Sequence, residues 1–200
     1  MTISLLAICV SEVKPLLFRD PHDEKQLHRE MSGIQKSPIS TTEAPRRVRC
    51  TTLGVAGDEQ ADLSVHGGPQ KAVYCYPSEH YAFWKAELSW LHDVSSLFGQ
   101  VGENLCMNGI LESDIWIGDR LHIGEQVVLQ VVKPREPCFK FNARMRSNQA
   151  TKLMAESGRC GWYCSVLTEG EIQPGDPVKL IAGSRDTTVR EEYKRLLKRR

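Results

Sequence analysis

The 200-residue sequence has no apolar run approaching the roughly 20 residues that cross a bilayer, which excludes a membrane-spanning helix. Its start, MTISLLAICVSEV, is apolar but carries no basic leader and no small-residue cleavage site, so it reads as a strand rather than a signal peptide. Net charge is nearly absent: 26 Lys and Arg against 25 Asp and Glu leave a formal +1, so any basic site must be local. Stable nucleic-acid binding and membrane association are therefore not expected. Seven cysteines are present, but without the dense spacing of a disulfide framework. Mostly buried thiols in a reducing, cytoplasmic setting are the expectation. There is no internal repeat, no P-loop, no Rossmann fingerprint, no flavin motif and no iron–sulfur cysteine spacing. A redox reaction here would have to draw its electrons from elsewhere.

What remains is an ordinary globular composition, 40% apolar and 26% charged, with length enough for a sizeable core. Short β-like segments recur between Gly, Pro and Asp turns: TISLLAICV, RRVRCTTLGV, AVYCYP, DIWIGDRLHIG, QVVLQVVKP and DPVKLIAG. That spacing points to a barrel or closed sheet rather than alternating β-α units. Three helices accompany it. SEHYAFWKAELSWL offers Ser78 as N-cap and puts Tyr81, Trp84 and Leu88 on one face. NQATKLMAESG stops at Gly158, and TVREEYKRLLKRR runs from acids to cations as the helix dipole favours. The expected fold class is mainly β with flanking helices (α+β): a barrel domain over residues 1–182 and a short basic helical tail over 183–200. The polar stretch Phe18 to Gly33 reads as a surface loop or extension, with His22 and His28 as solvated loop histidines. Cys160 and Cys164, in CGWYC, read as core packing.

Four clusters carry possible chemistry. PREPCFKFNAR, Pro134 to Arg144, sets Cys138 among Arg135, Lys140 and Arg144, behind a proline that fixes the chain. The thiolate is the nucleophilic and metal-binding form of cysteine, and cations favour it. Phe139 and Phe141 are expected to alternate inward and limit water. GVAGDEQADLSVHGGPQKA holds Asp58, His66, Gly67, Gly68 and Lys71; glycine pairs let backbone N–H groups approach an anion, although a His-Gly-Gly turn alone is simply a tight turn. FGQVGENLCMNG supplies Gly102, Glu103 and Asn104, an amide that can donate and accept at a heterocycle edge or merely cap a turn. MSGIQKSPIS adds Ser32 and Lys36.

Taken in order, Ser-Gly-Ile-x-Lys-x-Pro, Gly-Asp-x-Gln-Ala-Asp, Val-His-Gly-Gly-Pro, Gly-Glu-Asn-Leu and Pro-Arg-x-Pro-Cys resemble the MOSC family, the molybdenum-cofactor sulfurase C-terminal domain, in its YiiM-type branch. The resemblance covers roughly Ile3 to Ile181. It implies a β-rich barrel with flanking helices that binds the molybdenum cofactor (Mo-molybdopterin), with Cys138 as thiolate ligand to the metal. His66, Gly67, Gly68, Gly102, Glu103 and Asn104 would line the cofactor pocket, Lys71 with them, and Lys36 and Arg135 would sit near its phosphate or the metal's oxo groups. Pyridoxal phosphate binding is a further, family-level association. The implied activity is reduction of N-hydroxylated compounds, such as N-hydroxylated purine or pyrimidine bases, with electrons from an external reductase. His66, Asp58 or Glu103 would deliver a proton. Two other readings stay open: a sulfur-transfer protein carrying a persulfide on Cys138, and a non-catalytic barrel binding the cofactor or another anion. YiiM-type proteins usually continue into a helical bundle, whereas this sequence ends with DTTVREEYKRLLKRR; a homodimer is one compensation the resemblance leaves open.

Overall fold

The computed structural model describes residues 2–19, 27–61 and 67–199. Strands β1 (Ile3–Val10), β2 (Lys14–Arg19), β3 (Leu27–Ser32), β4 (Ser37–Thr41), β5 (Val48–Thr51), β6 (Gly54–Val55) and β7 (Val73–Pro77) fill the first part of the chain. Helix α1 (Tyr81–Glu87) follows, then β8 (Leu105–Asn108), β9 (Arg120–Ile123), β10 (Val127–Pro134), α2 (Phe139–Met145), α3 (Ala150–Ser157), β11 (Trp162–Thr168), β12 (Gly170–Ile172), β13 (Pro177–Ile181) and α4 (Val189–Lys198). Seven strands close a barrel in the order β13-β9-β10-β11-β7-β8-β1, with β1 returning to β13. The expected class, mainly β with flanking helices, is what the chain adopts. Pairing is antiparallel around the ring except between β7 and β8, which run parallel and are joined by the crossover that contains α1.

Local sequence explains the ring. In β10 the residues facing the core (Val127, Leu129, Val131) alternate with half-buried ones, as a strand with one solvated face requires. β7 is buried at every position, because it lies between two other strands and against α1, whose Trp84 Nε1 donates to Tyr76 OH at 2.5 Å. The turn into β10 is made by Gly124, at φ 63°, and the corner before β13 is tied by the Asp176 carboxylate accepting from the Gln173 N–H at 2.9 Å. All seven cysteines are free; six are buried and Cys138 alone is half-exposed, so Cys160 and Cys164 are core residues as expected.

The helices follow their signals with one difference. Tyr81, Trp84 and Leu88 are buried along one face as expected. Ser78 is not the N-cap, however: it opens a 3-10 turn (Ser78–His80) that leads into α1. Gly158, in the left-handed region, ends α3. Helix α4 opens with a capping box between Thr188 and Glu191 and buries Val189 and Tyr193 against the barrel, where it packs on β10.

Two expectations are corrected. The segment from Phe18 to Gly33 is not simply a loop: β2 and β3 pair as an antiparallel hairpin, Lys14 opposite Ser32 and Phe18 opposite His28. Its strand character comes from cross-strand pairing and from Phe18 packing on Phe139, 5.1 Å between ring centroids, rather than from a buried apolar face. His28 stacks on Phe18 within this hairpin, and His22 lies outside the described residues. The second correction concerns the residues after Cys138, which form α2. At helical spacing, residues two apart point to opposite sides. Phe141 is therefore fully buried, edge-on to Trp84, while Phe139 is 44% exposed.

Candidate functional site

The Cys138 cluster and the motif segments converge on one pocket at the barrel wall. Lys36, Asp58, Lys71, Gly102, Asn104, Arg135 and Cys138, all singled out from sequence, line it together. Cys138 is the N-cap residue of α2, in extended backbone at φ −125°, and its carbonyl accepts from the Phe141 N–H at 2.8 Å. Pro137 before it is buried, so the thiol is presented from a fixed stretch of chain.

Asn104 does more than line the wall. Its side-chain N–H donates to Asp58 Oδ2 at 2.9 Å and to the Cys9 carbonyl at 3.3 Å, while its Oδ1 accepts from the Tyr74 N–H at 3.1 Å. Its backbone bonds both Cys9 and Tyr74 as well. One residue thus stitches β1 to β7 and aims a carboxylate into the pocket. Asp58 Oδ1 accepts in turn from the Ser11 N–H at 2.9 Å and forms a close ion pair with Lys36. Lys36 is nearly enclosed, and burial lowers its pKa against the pull of Asp58.

Arg135 is buried, its guanidinium 4.9 Å from the Tyr74 ring centroid and 4.6 Å from that of Phe141, with Nη1 donating to the Val101 carbonyl at 3.0 Å. The remaining wall cations are Lys71 and Lys140, the latter ion-paired to Glu30 at 3.1 Å. The wall carboxylates are held by the protein itself. Glu59 accepts from the Val13 N–H at 2.7 Å, and Glu136 from Lys133 at 2.8 Å. Four cations thus face the pocket with three carboxylates that are already hydrogen-bonded, an arrangement suited to an anionic guest.

Three sequence candidates are not on this wall. Glu103 is fully buried behind it, where its carboxylate accepts from Tyr81 OH, from the Gly99 N–H at 2.5 Å and from the Val101 N–H at 3.2 Å. Burial raises its pKa, against those donors. Its work is to shape the turn that carries Gly102. Gly67 and Gly68 pack on Gln60, whose Oε1 accepts from the Gly68 N–H at 2.8 Å; a Cβ at Gly67 would stand 2.1 Å from that oxygen. The close approach that glycine permits is thus to a side-chain amide of the wall. His66 lies outside the described residues, 62–66.

Sequence reasoning missed Tyr74, Tyr163, Ile34 and Gln60, which also line the pocket. Tyr163 stands between the two cysteines of CGWYC, and Tyr74 in the strand that follows the Gly-Gly-Pro turn, so a polar-tipped aromatic beside each motif was the available signal. Among the described residues no group of three or more His, Cys, Asp or Glu side chains could hold a metal by itself. A metal here would need most of its ligands from a cofactor, with Cys138 as the one soft protein donor on the wall.

A model of the MOSC domain matches residues 62–179. The chain belongs to the MOSC domain family. Protein YiiM of Escherichia coli is 37% identical over 157 residues, 78% of this chain and 68% of that protein. A protein named "Reductase" from Gibberella moniliformis is 40% identical over 151 residues, 76% of this chain but 27% of that much longer relative. The crystal structure of YiiM from Geobacillus stearothermophilus superposes with a TM-score of 0.68 at 27% identity, over 96% of this chain and 82% of that one. The MOSC barrel of this chain is therefore of the YiiM type. Among the described residues no helix is long and apolar enough to cross a membrane.

Proposed function

We propose that this MOSC protein is a molybdenum-cofactor-dependent reductase that converts N-hydroxylated compounds, such as N-hydroxylated bases, to amines. The observation that carries the reading is the placing of Cys138, the one half-exposed thiol, in a pocket with Lys36, Lys71, Arg135 and Lys140. A single thiolate suits a cofactor that brings its own sulfur donors, and the cations suit its negative charge. The balanced reaction is R–NHOH with two electrons and two protons giving R–NH₂ and water; the cofactor, when bound, supplies the two-electron chemistry. Electrons come from an external reductase, since the sequence has no motif for a second redox group.

The chain's own residues would hold and protonate. Cys138 would anchor the cofactor, Lys71 and Lys140 would offset its charge, and Tyr74 and Tyr163 would wall off water. The Lys36–Asp58 pair, fixed by Asn104, stands where a proton could pass to substrate nitrogen or oxygen, and the burial that lowers the Lys36 pKa makes its ammonium a better acid. The name of the G. moniliformis relative, "Reductase", agrees with a redox role. The six buried thiols suit a reducing, cytoplasmic setting.

The test is to purify wild type and Cys138→Ser without oxygen and measure molybdenum, oxidised-pterin fluorescence and hydroxylamine-compound turnover. Near-stoichiometric molybdenum and pterin in the wild type, with metal and turnover lost in the variant, is the expected outcome. Turnover retained by Cys138→Ser refutes it. An accessible thiol also suits persulfide transfer; cyanide-labile sulfur on Cys138 without pterin would shift the function to that chemistry.

A further inference from the structure

A second cavity, about 580 Å³, shares no lining residue with the Cys138 pocket. It lies where the start of α1, the segment around Glu112, the end of α3 and the first turn of α4 meet. Its size falls in the range that holds small organic molecules. Its acids are already engaged by the protein. Glu112 is buried, with Oε2 2.8 Å from His80 Nε2 and Oε1 accepting from the Gly161 N–H at 2.7 Å. Glu79 accepts from the Gly109 N–H at 2.6 Å and from Asn108 Nδ2 at 3.1 Å.

The two arginines on the same wall are not so engaged. Arg159 is stacked over Phe83, with its Cζ 4.2 Å from the ring centroid, which holds the guanidinium plane while leaving its N–H edge for a ligand. Arg190 is exposed in the first turn of α4, whose backbone N–H donates to the Glu112 carbonyl at 2.9 Å. Among the described residues neither guanidinium has an ion-pair partner. The carboxylates' hydrogen bonds point them at the protein, whereas the guanidinium groups have no ion-pair partner there among the described residues, and a guanidinium edge matches two oxygens of a phosphate or carboxylate at once.

We infer that this cavity is a second ligand site, which binds a small organic anion through Arg159 and Arg190. It is independent of the proposed cofactor pocket. Gly161 stands between them: its N–H donates to Glu112 and its carbonyl accepts from the Arg135 N–H at 3.4 Å, so one lining residue of each pocket bonds the same glycine.

The test uses the full chain labelled with ¹⁵N, titrated at constant ionic strength with pyrophosphate and, separately, with citrate. Saturable shifts at the amides of His80, Arg159, Gly161 and Arg190 are expected. R159Q/R190Q should bind at least about tenfold more weakly, because two charge-assisted contacts are lost, whereas K140Q in the other pocket should leave these shifts unchanged. R190Q alone, at an exposed position, should show part of the loss if the double variant is poorly folded. Tighter binding of pyrophosphate assigns a phosphate-bearing ligand and tighter binding of citrate a carboxylate-bearing one. No saturable shift with either anion, or undiminished binding in R159Q/R190Q and R190Q, overturns the site.

Discussion

Changing Asn104 to Asp replaces one N–H₂ by oxygen and little else. In the native site that N–H₂ faces Asp58 Oδ2 at 2.9 Å, in a residue 4% exposed. The substitution sets two carboxylates face to face. They cannot both ionise at that separation, so one keeps a proton, which takes the place of the missing amide hydrogen. The bond to the Tyr74 N–H survives, because Oδ1 is retained. In the unfolded chain both carboxyls titrate near about 3.9, so above that pH the folded variant holds a proton that the unfolded one has released. Its stability therefore falls as pH rises, by about 1.4 kcal/mol per unit, until the pH reaches the raised value of the pair. Between pH 5 and pH 6, where the unfolded carboxyls are almost fully ionised, that is about 1.3 kcal/mol relative to wild type, out of a total typically of about 5–15 kcal/mol.

Asn104→Ala provides the comparison. It leaves the Tyr74 N–H and one Asp58 oxygen unpaired, at about 1–3 kcal/mol each, and no shared proton can repair this. Its loss should be about 2–6 kcal/mol and nearly the same at every pH. Urea unfolding of wild type and both variants at pH 4, 5, 6 and 7 separates the two behaviours. If Asn104→Asp and Asn104→Ala differ from wild type by amounts that run parallel in pH, the amide does not hold the Asp58 carboxylate and the reasoning fails.

Two further outcomes follow from the turn beside it. Gly102 sits at φ 87°, and a Cβ there would come 2.8 Å from Ile34 Cγ1. Gly102→Ala should cost about 1–3 kcal/mol, roughly 2–10 °C in Tm by calorimetry; an unchanged Tm would mean that the turn relaxes freely. Because the pKa of Glu103 is raised in the fold, the native state keeps a proton above the ordinary carboxyl value of about 4.3 that the unfolded chain loses, so this group erodes stability as pH rises through that window. Glu103→Gln should flatten that part of the pH dependence in denaturant titrations, and an unaltered slope would rule the assignment out.

The barrel was legible because its strands carry their own punctuation. Gly124, Asp176 and Gly158 each mark a turn by chemistry local to a few residues. The hairpin of β2 and β3 was not, since its charged residues read as solvent-facing and its pairing depends on Phe18 meeting Phe139 across the fold. Helix α2 was hidden for a related reason: prolines at 134 and 137 suggested a loop, yet Pro137 simply precedes the N-cap. At the site, residue type and motif order brought Cys138, Lys36, Asp58 and Arg135 to one pocket. They did not reveal that Asn104 is a strut between strands or that Glu103 faces inward, because a carboxylate or amide in a glycine turn looks the same from either side of the wall. Nor did they single out Tyr74 and Tyr163.

The barrel is sealed by residues far apart in the chain: Ile3 pairs with Val178, and Ser4 with Pro177. During synthesis the first strand emerges long before its final neighbour exists. Until β13 arrives, β9 and the start of β1 each present an open row of backbone groups, a hazard for pairing with other chains. Closing a loop of this length also adds entropy cost before any contact repays it, so ring closure belongs late in folding. Translation halted before Pro177 would therefore release a chain with two unsatisfied edges. Such a fragment is expected to need a chaperone or to aggregate.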